Sequence, residues 1–349
     1  MKAVAGRVTF GFKTSPQHVS FATLDETWAA AAELPVFVAA WMNDHFSDPA
    51  AESGGPSFES LTLMAALAHR VPGVWLGHSV LANTFRHPAL LAKAATTMDH
   101  VTGGRFIVGL GMGWHAWEHE AFGVPLPPPR ERFERLVSTV RVLRALGSAA
   151  AAGAASAGSP AAGAAAAAGS PAAGSPAAGV TLDDAFAPLR GATAAGAAAA
   201  GSPSAGVTLD DAFAPLRGAT NEPPPLTPGG PPIFLGGQGP RGLRLAGEAG
   251  DGWFIPSIPF TGPEVFAERR GAILRAMEAA GRDPDGFQFV AQVGAGGDAA
   301  ARADACALAL AYARAGATHV SVAVPSRLGP AGLAAAAHEG AEPAAAALG

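Results

Sequence analysis

The chain has 349 residues, of which 49% are apolar and 15% are charged, and its formal net charge is −5. It contains no basic run, so it lacks the positive surface that nucleic-acid binding requires. No stretch reaches about 18 apolar residues without glycine, proline or a charge, which argues against a membrane span. No apolar run follows the N-terminal lysine, and Cys306 is the only cysteine. We therefore expect a cytoplasmic protein without a signal peptide, a disulfide, a nucleic-acid partner or a membrane partner.

Short β-rich runs alternate with helical patterns along almost the whole chain. The eight predicted strands cover residues 8–13, 36–42, 74–81, 106–110, 232–235, 252–255, 287–293 and 319–324. The eight predicted helices cover residues 24–34, 58–70, 88–98, 130–146, 241–249, 263–280, 299–315 and 332–347. Strict alternation predicts a parallel sheet, and eight repeats predict a closed (β/α)8 TIM barrel. In such a barrel the loops that follow the strands build the active site.

A low-complexity insert separates the fourth predicted helix from the fifth strand. Residues 147–179 are all alanine, glycine, serine or proline, and the segment GVTLDDAFAPLRGAT occurs twice, at 179–193 and 206–220. Such a composition buries little apolar surface, so we expect part of the insert to be disordered. The chain therefore divides into a first half-barrel at 1–146, the insert at 147–228 and the second half of the same barrel at 229–349. The sequence leaves open which copy of the repeated segment packs on the barrel.

The loop GGQGPRG follows the fifth predicted strand and precedes a helix. Its glycines allow backbone N–H groups to approach an anion, and the helix N-terminus adds positive potential. Arg241 could add a positive charge. The loop is therefore predicted to bind a phosphate group, although glycines in this position also serve a tight turn.

Asp44 and His45 follow the second predicted strand. Histidine exchanges a proton near neutral pH, and a neighbouring carboxylate can fix its tautomer. This pair is the best acid/base candidate in the sequence, with His45 as the catalytic residue and Asp44 as its partner. The alternative is a structural pair at a strand end.

The stretch GWHAWEHE places His115 and His119 four residues apart, a spacing that occurs in metal sites on helices. Ala116 stands where helical metalloproteases carry a glutamate, and no third ligand is close in sequence. We therefore expect no metal. The two histidines are assigned to a solvated helix face, with Glu118 as a cap of the backbone.

Three long motifs occur in order along the chain: WMNDHF, LGHSVLANTFRHPALLAKAATTMDHVTGGRFIVGLGMGWHAWEHEAFGVPLPPPRERFERL and PPIFLGGQGPRGLRLAGEAGDGW. Together they resemble the luciferase-like monooxygenase superfamily, most closely its flavin- or deazaflavin-dependent oxidoreductases. The resemblance covers nearly the whole chain outside the insert. It implies a (β/α)8 barrel, often dimeric, that binds FMN or the deazaflavin coenzyme F420 at the mouth of the barrel.

The resemblance also implies which residues contact the cofactor. The bulge after the third strand, which in relatives often holds a non-proline cis peptide, corresponds to Ser79 and Val80, and His45 is the implied acid/base. The implied cofactor contacts are Asp44, Ser79, Val80, Asn83, Gly111, Met112, Gly113, Trp114, Gly236, Gly237, Gln238, Gly239 and Arg241. The predicted substrate contacts are Gln17, Trp41 and Trp253. Some deazaflavin enzymes carry a glutamate as a second acid where this chain has Trp114, which argues against a two-acid mechanism.

We predict an oxidoreductase that transfers a hydride between F420 and a small organic substrate, whose identity the sequence leaves open. The first alternative is an FMN-dependent monooxygenase that uses reduced flavin and O2. The second is a non-catalytic flavin-binding relative, against which the intact Asp44–His45 pair and the GGQGPR loop argue. The resemblance also predicts a homodimer.

Overall fold

Eight parallel strands close into a barrel in the computed structural model, which describes residues 8–49, 55–156, 206–255 and 262–349. The barrel strands are β1 (Thr9–Thr14), β2 (Phe37–Met42), β3 (Trp75–His78), β5 (Phe106–Gly111), β8 (Ile233–Leu235), β9 (Gly252–Phe254), β10 (Gln288–Gly294) and β11 (His319–Ala323). Each pairs with the next along the chain, and β11 pairs with β1 to close the ring. A two-residue strand, β4 (Leu81–Ala82), extends the pairing with β5. The predicted TIM barrel is confirmed.

Helices follow the barrel strands and pack around them. They are α1 (Phe21–Ala31), α2 (Ser60–Leu67), α3 (Pro88–Thr102), α4 (Ala116–Ala121), α5 (Pro129–Ser156), α6 (Pro240–Ala249), α7 (Pro263–Ala279), α8 (Ala299–Arg314), α9 (Gly329–Ala336) and α10 (Glu342–Ala347). Several begin at side-chain caps: Ser20 Oγ accepts from the Thr23 amide at 3.0 Å, and Asp298 Oδ1 accepts from the Ala301 amide at 2.8 Å. In the described part of the chain, no helix is long and apolar enough to cross a bilayer.

Three predicted elements differ from the structure by more than a shift of a few residues at their ends. The predicted third strand stops at His78 and resumes as β4, because the chain forms a bulge at Ser79 and Val80. The predicted last helix divides into α9 and α10, which a π-helical turn separates. The predicted fourth helix continues from residue 146 to Ser156, since alanine is the strongest helix former. The insert boundary at residue 147 therefore falls inside α5.

Aromatic rings that face glycines fill the inside of the barrel. Trp41 is buried there, and its ring lies 6.1 Å from the Phe234 ring and 5.3 Å from the Phe254 ring between centroids. A Cβ atom on Gly77 would lie 2.6 Å from the Trp41 ring, so the close approach of strand and ring requires glycine. Because the interior is filled, space for a ligand remains only where the strands end.

The second copy of the repeated segment packs on the outside of the barrel. It forms an antiparallel hairpin of β6 (Val207–Leu209) and β7 (Leu216–Ala219). Asp211 is buried between them and accepts hydrogen bonds from Ser138 Oγ on α5 at 2.5 Å and from two backbone amides of its own turn. Burial alone would raise the pKa of Asp211, but these hydrogen bonds hold that pKa below its usual range. The first copy and the disorder predicted for the insert lie outside the described residues.

We expect Asp211→Ala to lower the free energy of unfolding by about 1–3 kcal/mol, because it leaves buried donors of the hairpin without an acceptor. Equilibrium urea unfolding measures the change. Asp184→Ala is the matched control, since Asp184 occupies the same place in the first copy. An equal loss in both variants would contradict the assignment of the barrel contact to the second copy alone.

Candidate active site

A cavity of about 540 Å³ opens at the carboxyl ends of the barrel strands. This is the size of a site for a small organic ligand. Nine of the predicted site residues line it: Asp44, His45, Ser79, Val80, Gly111, Met112, Gly113, Trp114 and Gly236. They lie at or just after the carboxyl ends of β2, β3, β5 and β8, so the closure of the barrel brings together residues that lie far apart in the sequence. Eight others do not line the cavity: Gln17, Trp41, Asn83, Gly237, Gln238, Gly239, Arg241 and Trp253.

The ring of His45 is oriented by Glu118 of α4. The Nδ1 atom of His45 lies 2.9 Å from Glu118 Oε2, and the glutamate side chain is 1% exposed. The other carboxylate oxygen accepts from the Phe46 amide and from the Ser47 amide, the latter at 3.1 Å. With Nδ1 bound as a donor to the carboxylate, the Nε2 atom of His45 is left as a proton acceptor. This arrangement is the geometry of an acid/base histidine with a carboxylate partner.

Asp44 is not the partner of His45, which corrects the pairing predicted from the sequence. Its carboxylate accepts two hydrogen bonds from the Arg86 guanidinium, at 2.6 and 2.9 Å, and one each from Ser60 Oγ and the Ala82 amide at 2.9 Å. The two side chains have different partners, since Asp44 binds Arg86 and Ser60 while His45 binds Glu118. Burial alone would raise the pKa of Asp44, but Arg86 holds that pKa below its usual range. Asp44 is thus a buried anchor of the loop.

His115 and His119 occupy less solvated positions than the sequence suggested. His119 is buried, and its Nε2 atom lies 2.7 Å from Thr84 Oγ1. His115 lines the cavity, and its Nδ1 atom is 3.8 Å from the same Glu118 oxygen that binds His45. The helix face predicted to be solvated is instead packed against the loop that follows β2. Within the described ranges, no group of three or more His, Cys, Asp or Glu side chains could hold a metal ion.

The bulge between β3 and β4 forms one wall of the cavity. The Ser79–Val80 peptide is cis, as the family resemblance predicts for this position. A Cβ atom on Gly111 would lie 2.6 Å from the Val80 side chain, and one on Gly236 would lie 3.1 Å from it. Glycines on β5 and after β8 therefore make room for the bulge. They also leave the wall beside it without side chains.

Several buried polar atoms at this wall have no protein partner. Ser79 Oγ and Asn43 Oδ1 belong to residues that line the cavity, and neither has a hydrogen-bond partner among the described residues. Asn83 Oδ1 is also buried and has no hydrogen-bond partner among the described residues, while the backbone N–H of Asn83 donates to the Gly111 carbonyl at 2.9 Å. Buried polar groups are normally satisfied, so these atoms indicate where a polar ligand would bind.

The glycine loop after β8 runs from Gly236, which lines the cavity, to Gly239 at the start of α6. Among the described residues, no side chain caps this helix. The Trp253 indole, which is fully buried, donates to the Gly237 carbonyl at 2.7 Å and so fixes the loop. The guanidinium of Arg241 lies 4.1 Å from the centre of the Phe133 ring. Trp253 therefore supports the loop from the outer face of the barrel and does not form a substrate wall.

The other two predicted substrate residues also lie outside the cavity lining. Trp41 is fully buried in the barrel, and its Nε1 atom donates to His319 Nε2 at 3.0 Å. Burial lowers the pKa of His319 to about 3, which keeps its ring neutral and able to accept this bond. Gln17 accepts from Asn43 Nδ2 at 3.1 Å, so it supports a lining residue from behind.

The sequence interpretation missed Glu118 as a partner and did not select Lys13 or Gln292. Lys13 Nζ on β1 donates to Gln292 Oε1 on β10 at 2.9 Å, and both residues line the cavity. These contacts join residues distant in the sequence, so no local pattern shows them. One usable signal existed: a glutamate on a short helix directly after a strand-end loop.

The sequence profile of the luciferase-like monooxygenase family matches residues 14–152 and 165–348. The chain belongs to this family. Its members are oxidoreductases, and the match spans both halves of the barrel.

The relatives of this luciferase-like protein include F420-dependent enzymes. The F420-dependent glucose-6-phosphate dehydrogenase of Amycolatopsis mediterranei is 36% identical over 137 residues, 39% of this chain and only 40% of the relative. The enzyme of that name from Mycobacterium leprae is 28% identical over 287 residues, 81% of this chain and 67% of the relative. A solved F420-dependent secondary alcohol dehydrogenase, in complex with an F420–acetone adduct, has a TM-score of 0.69 at 16% identity and covers 97% of this chain and 99% of that chain. The last likeness shows the shared fold.

We expect Asp44→Asn to lower the free energy of unfolding by about 3–5 kcal/mol, because it leaves Arg86 without its main buried counter-ion. The folded-state pKa of Asp44 lies below 3.8, its ordinary value. The ionised carboxylate of Asp44 therefore stabilises the folded protein above that pH, and this stabilisation is lost as the pH falls below it. The difference in free energy of unfolding between the wild type and Asp44→Asn should therefore be smaller at acid pH. Urea unfolding at pH 7 and pH 3 measures this. The exposed Asp304→Asn is the control, and a loss of similar size there would contradict the prediction.

Proposed function

We propose that this protein is an F420-dependent oxidoreductase that transfers a hydride between F420 and a small organic alcohol or carbonyl substrate. The observation that carries the proposal is the His45 ring, which Glu118 orients inside a cavity at the mouth of the barrel. The similar F420-dependent dehydrogenases support the same cofactor and the same type of reaction, oxidation of a carbon that bears a hydroxyl group.

The cavity residues fit a planar, polar-edged cofactor. The wall beside Val80 lacks side chains at Gly111 and Gly236, and Ser79 Oγ and Asn43 Oδ1 offer unused hydrogen-bonding capacity. Ser79, Val80, Gly111 and Asn43 would hold the ring. The amides of the glycine loop that ends at α6 would hold the phosphate, as backbone N–H groups at a helix start do.

In this mechanism His45 moves the proton of the substrate hydroxyl. Bound F420 supplies the hydride acceptor. Nε2 of His45 takes the proton while the hydride leaves the adjacent carbon, and the charge of Glu118 stabilises the imidazolium that forms. Glu118 also keeps Nδ1 protonated, so that Nε2 remains the acceptor. In the opposite direction the imidazolium returns the proton to a carbonyl oxygen.

The cofactor is tested by titration of the protein with F420 and with FMN, followed by fluorescence. We expect tight binding of F420 and turnover of F420 with 2-propanol or with glucose 6-phosphate, which represent the substrate types in the names of the relatives. Tighter binding of FMN, with consumption of O2 on reduction, would favour the monooxygenase. Binding of F420 without turnover of either alcohol would favour a non-catalytic protein.

The predicted homodimer stays a prediction, which light scattering tests.

We expect His45→Gln to lower kcat by about 100- to 10,000-fold with the Kd for F420 unchanged, because the proton acceptor is lost. Glu118→Gln should lower kcat by about 10- to 100-fold with an unchanged KM, since the ring loses its orienting charge. Glu118→Asp should recover part of the rate.

The matched control for these variants is Glu120→Gln on the exposed face of the same helix, which should behave as the wild type. A Glu118→Gln protein that loses F420 affinity and kcat together would show that the glutamate maintains the fold of the loop and does not act through His45.

A further inference from the structure

Lys13 presents a cation to the cavity from its β1 side. Its Nζ atom donates to Gln292 Oε1 at 2.9 Å. Among the described residues, Lys13 is the only lysine or arginine that lines the cavity. An ammonium carries three N–H donors, of which this contact uses one. The Lys13 ammonium therefore brings a positive charge to the cavity, together with N–H donors that the Gln292 contact does not use.

No carboxylate compensates this charge within the described part of the chain, where no salt bridge includes Lys13. Two other partly buried cations are paired with carboxylates: Arg86 with Asp44 at 2.6 Å, and Arg144 with Asp251 at 2.6 Å. Burial lowers the pKa of Lys13 to about 8, and no neighbouring negative charge opposes that shift. An unpaired charge that is partly withdrawn from water destabilises the folded protein.

A loss of stability from an unpaired charge is typical of a functional position, where a bound ligand supplies the opposite charge. The cation lies in the same cavity as the Ser79–Val80 wall and His45, so a ligand bound there reaches it. A cation without a counter-ion in a low-dielectric site selects a negative oxygen.

We propose that Lys13 is an anion-binding residue of the cavity, whose ammonium pairs with a negatively charged oxygen of the bound ligand. The identity of that ligand rests on the proposed function. The oxygen belongs either to the ring of F420 or to the phosphate of a phosphorylated substrate. Gln292 holds the ammonium in place from β10.

The test compares Lys13→Met, which keeps the length of the side chain and removes its charge, with Lys13→Arg, which keeps the charge. Lys93→Met is the matched control, because Lys93 lies on α3 outside the cavity lining and donates to the Glu222 carbonyl at 2.6 Å. Fluorescence titration gives the Kd for F420, calorimetry on the F420-loaded protein gives the Kd for glucose 6-phosphate, and thermal unfolding gives the Tm of the protein without ligand.

We expect Lys13→Met to weaken the binding of one of the two ligands by about 10- to 100-fold, the loss of one charge-assisted hydrogen bond. Weaker F420 binding assigns the oxygen to the cofactor, and weaker glucose 6-phosphate binding alone assigns it to the substrate. Lys13→Arg should retain most of the affinity. The Tm of Lys13→Met should fall by no more than about 2 °C, because the charge it removes has no counter-ion among the described residues.

Kd values within about twofold of the wild type for both ligands would overturn the proposal. A large fall in the Tm of Lys13→Met would also overturn it, since the lysine would then stabilise the protein itself. A wild-type protein that binds neither ligand would contradict the proposed function, and this result is visible in the wild-type titration before any variant is compared.

Discussion

The site depends on the buried carboxylate of Glu118, which joins α4 to the loop that follows β2. It accepts hydrogen bonds from the amides of Phe46 and Ser47 and binds the ring of His45, 73 residues away along the chain. A carboxylate is costly to bury unless donors surround it, and here the loop supplies them. One interaction therefore fixes both the course of the loop and the orientation of the imidazole.

Asp44 and His45 show how two adjacent residues take different roles. The Asp44 carboxylate accepts hydrogen bonds from Arg86 and from Ser60 at the start of α2. His45 points toward the cavity, where its ring stays accessible at one edge. The ion pair keeps the backbone in place beneath the histidine. The ring of His45 is supported separately, by Glu118 of α4.

The packing of the barrel explains where ligands can bind. The rings of Trp41, Phe234 and Phe254 fill the interior, while glycines opposite them allow the strands to close. At the strand ends, Gly111 and Gly236 leave the cavity wall beside Val80 without side chains. Lys13 stands at this boundary between a filled interior and an open mouth. Its ammonium has no carboxylate partner among the described residues, and the proposed anion-binding role would supply one from the ligand.

Periodicity and local motifs in the sequence were enough to predict the eightfold alternation, the barrel and the loops that carry the site. They could do so because strand and helix patterns are local properties of the chain, and the barrel brings all strand ends to one face. The bulge at Ser79 and Val80 came from the family resemblance, since no local pattern requires it.

Only the tertiary structure decided the partners of the polar side chains. Asp44 and His45 are neighbours in sequence, yet in the folded barrel Asp44 pairs with Arg86 and His45 pairs with Glu118. The two copies of GVTLDDAFAPLRGAT have the same sequence, so the sequence cannot distinguish them. The hydrogen bond from Ser138 to Asp211 shows that the second copy packs against α5. The tryptophans at positions 41 and 253 are buried because each faces packed elements, which composition does not show. Pairing between distant residues depends on the direction of each side chain in the folded barrel, and that direction is fixed by packing.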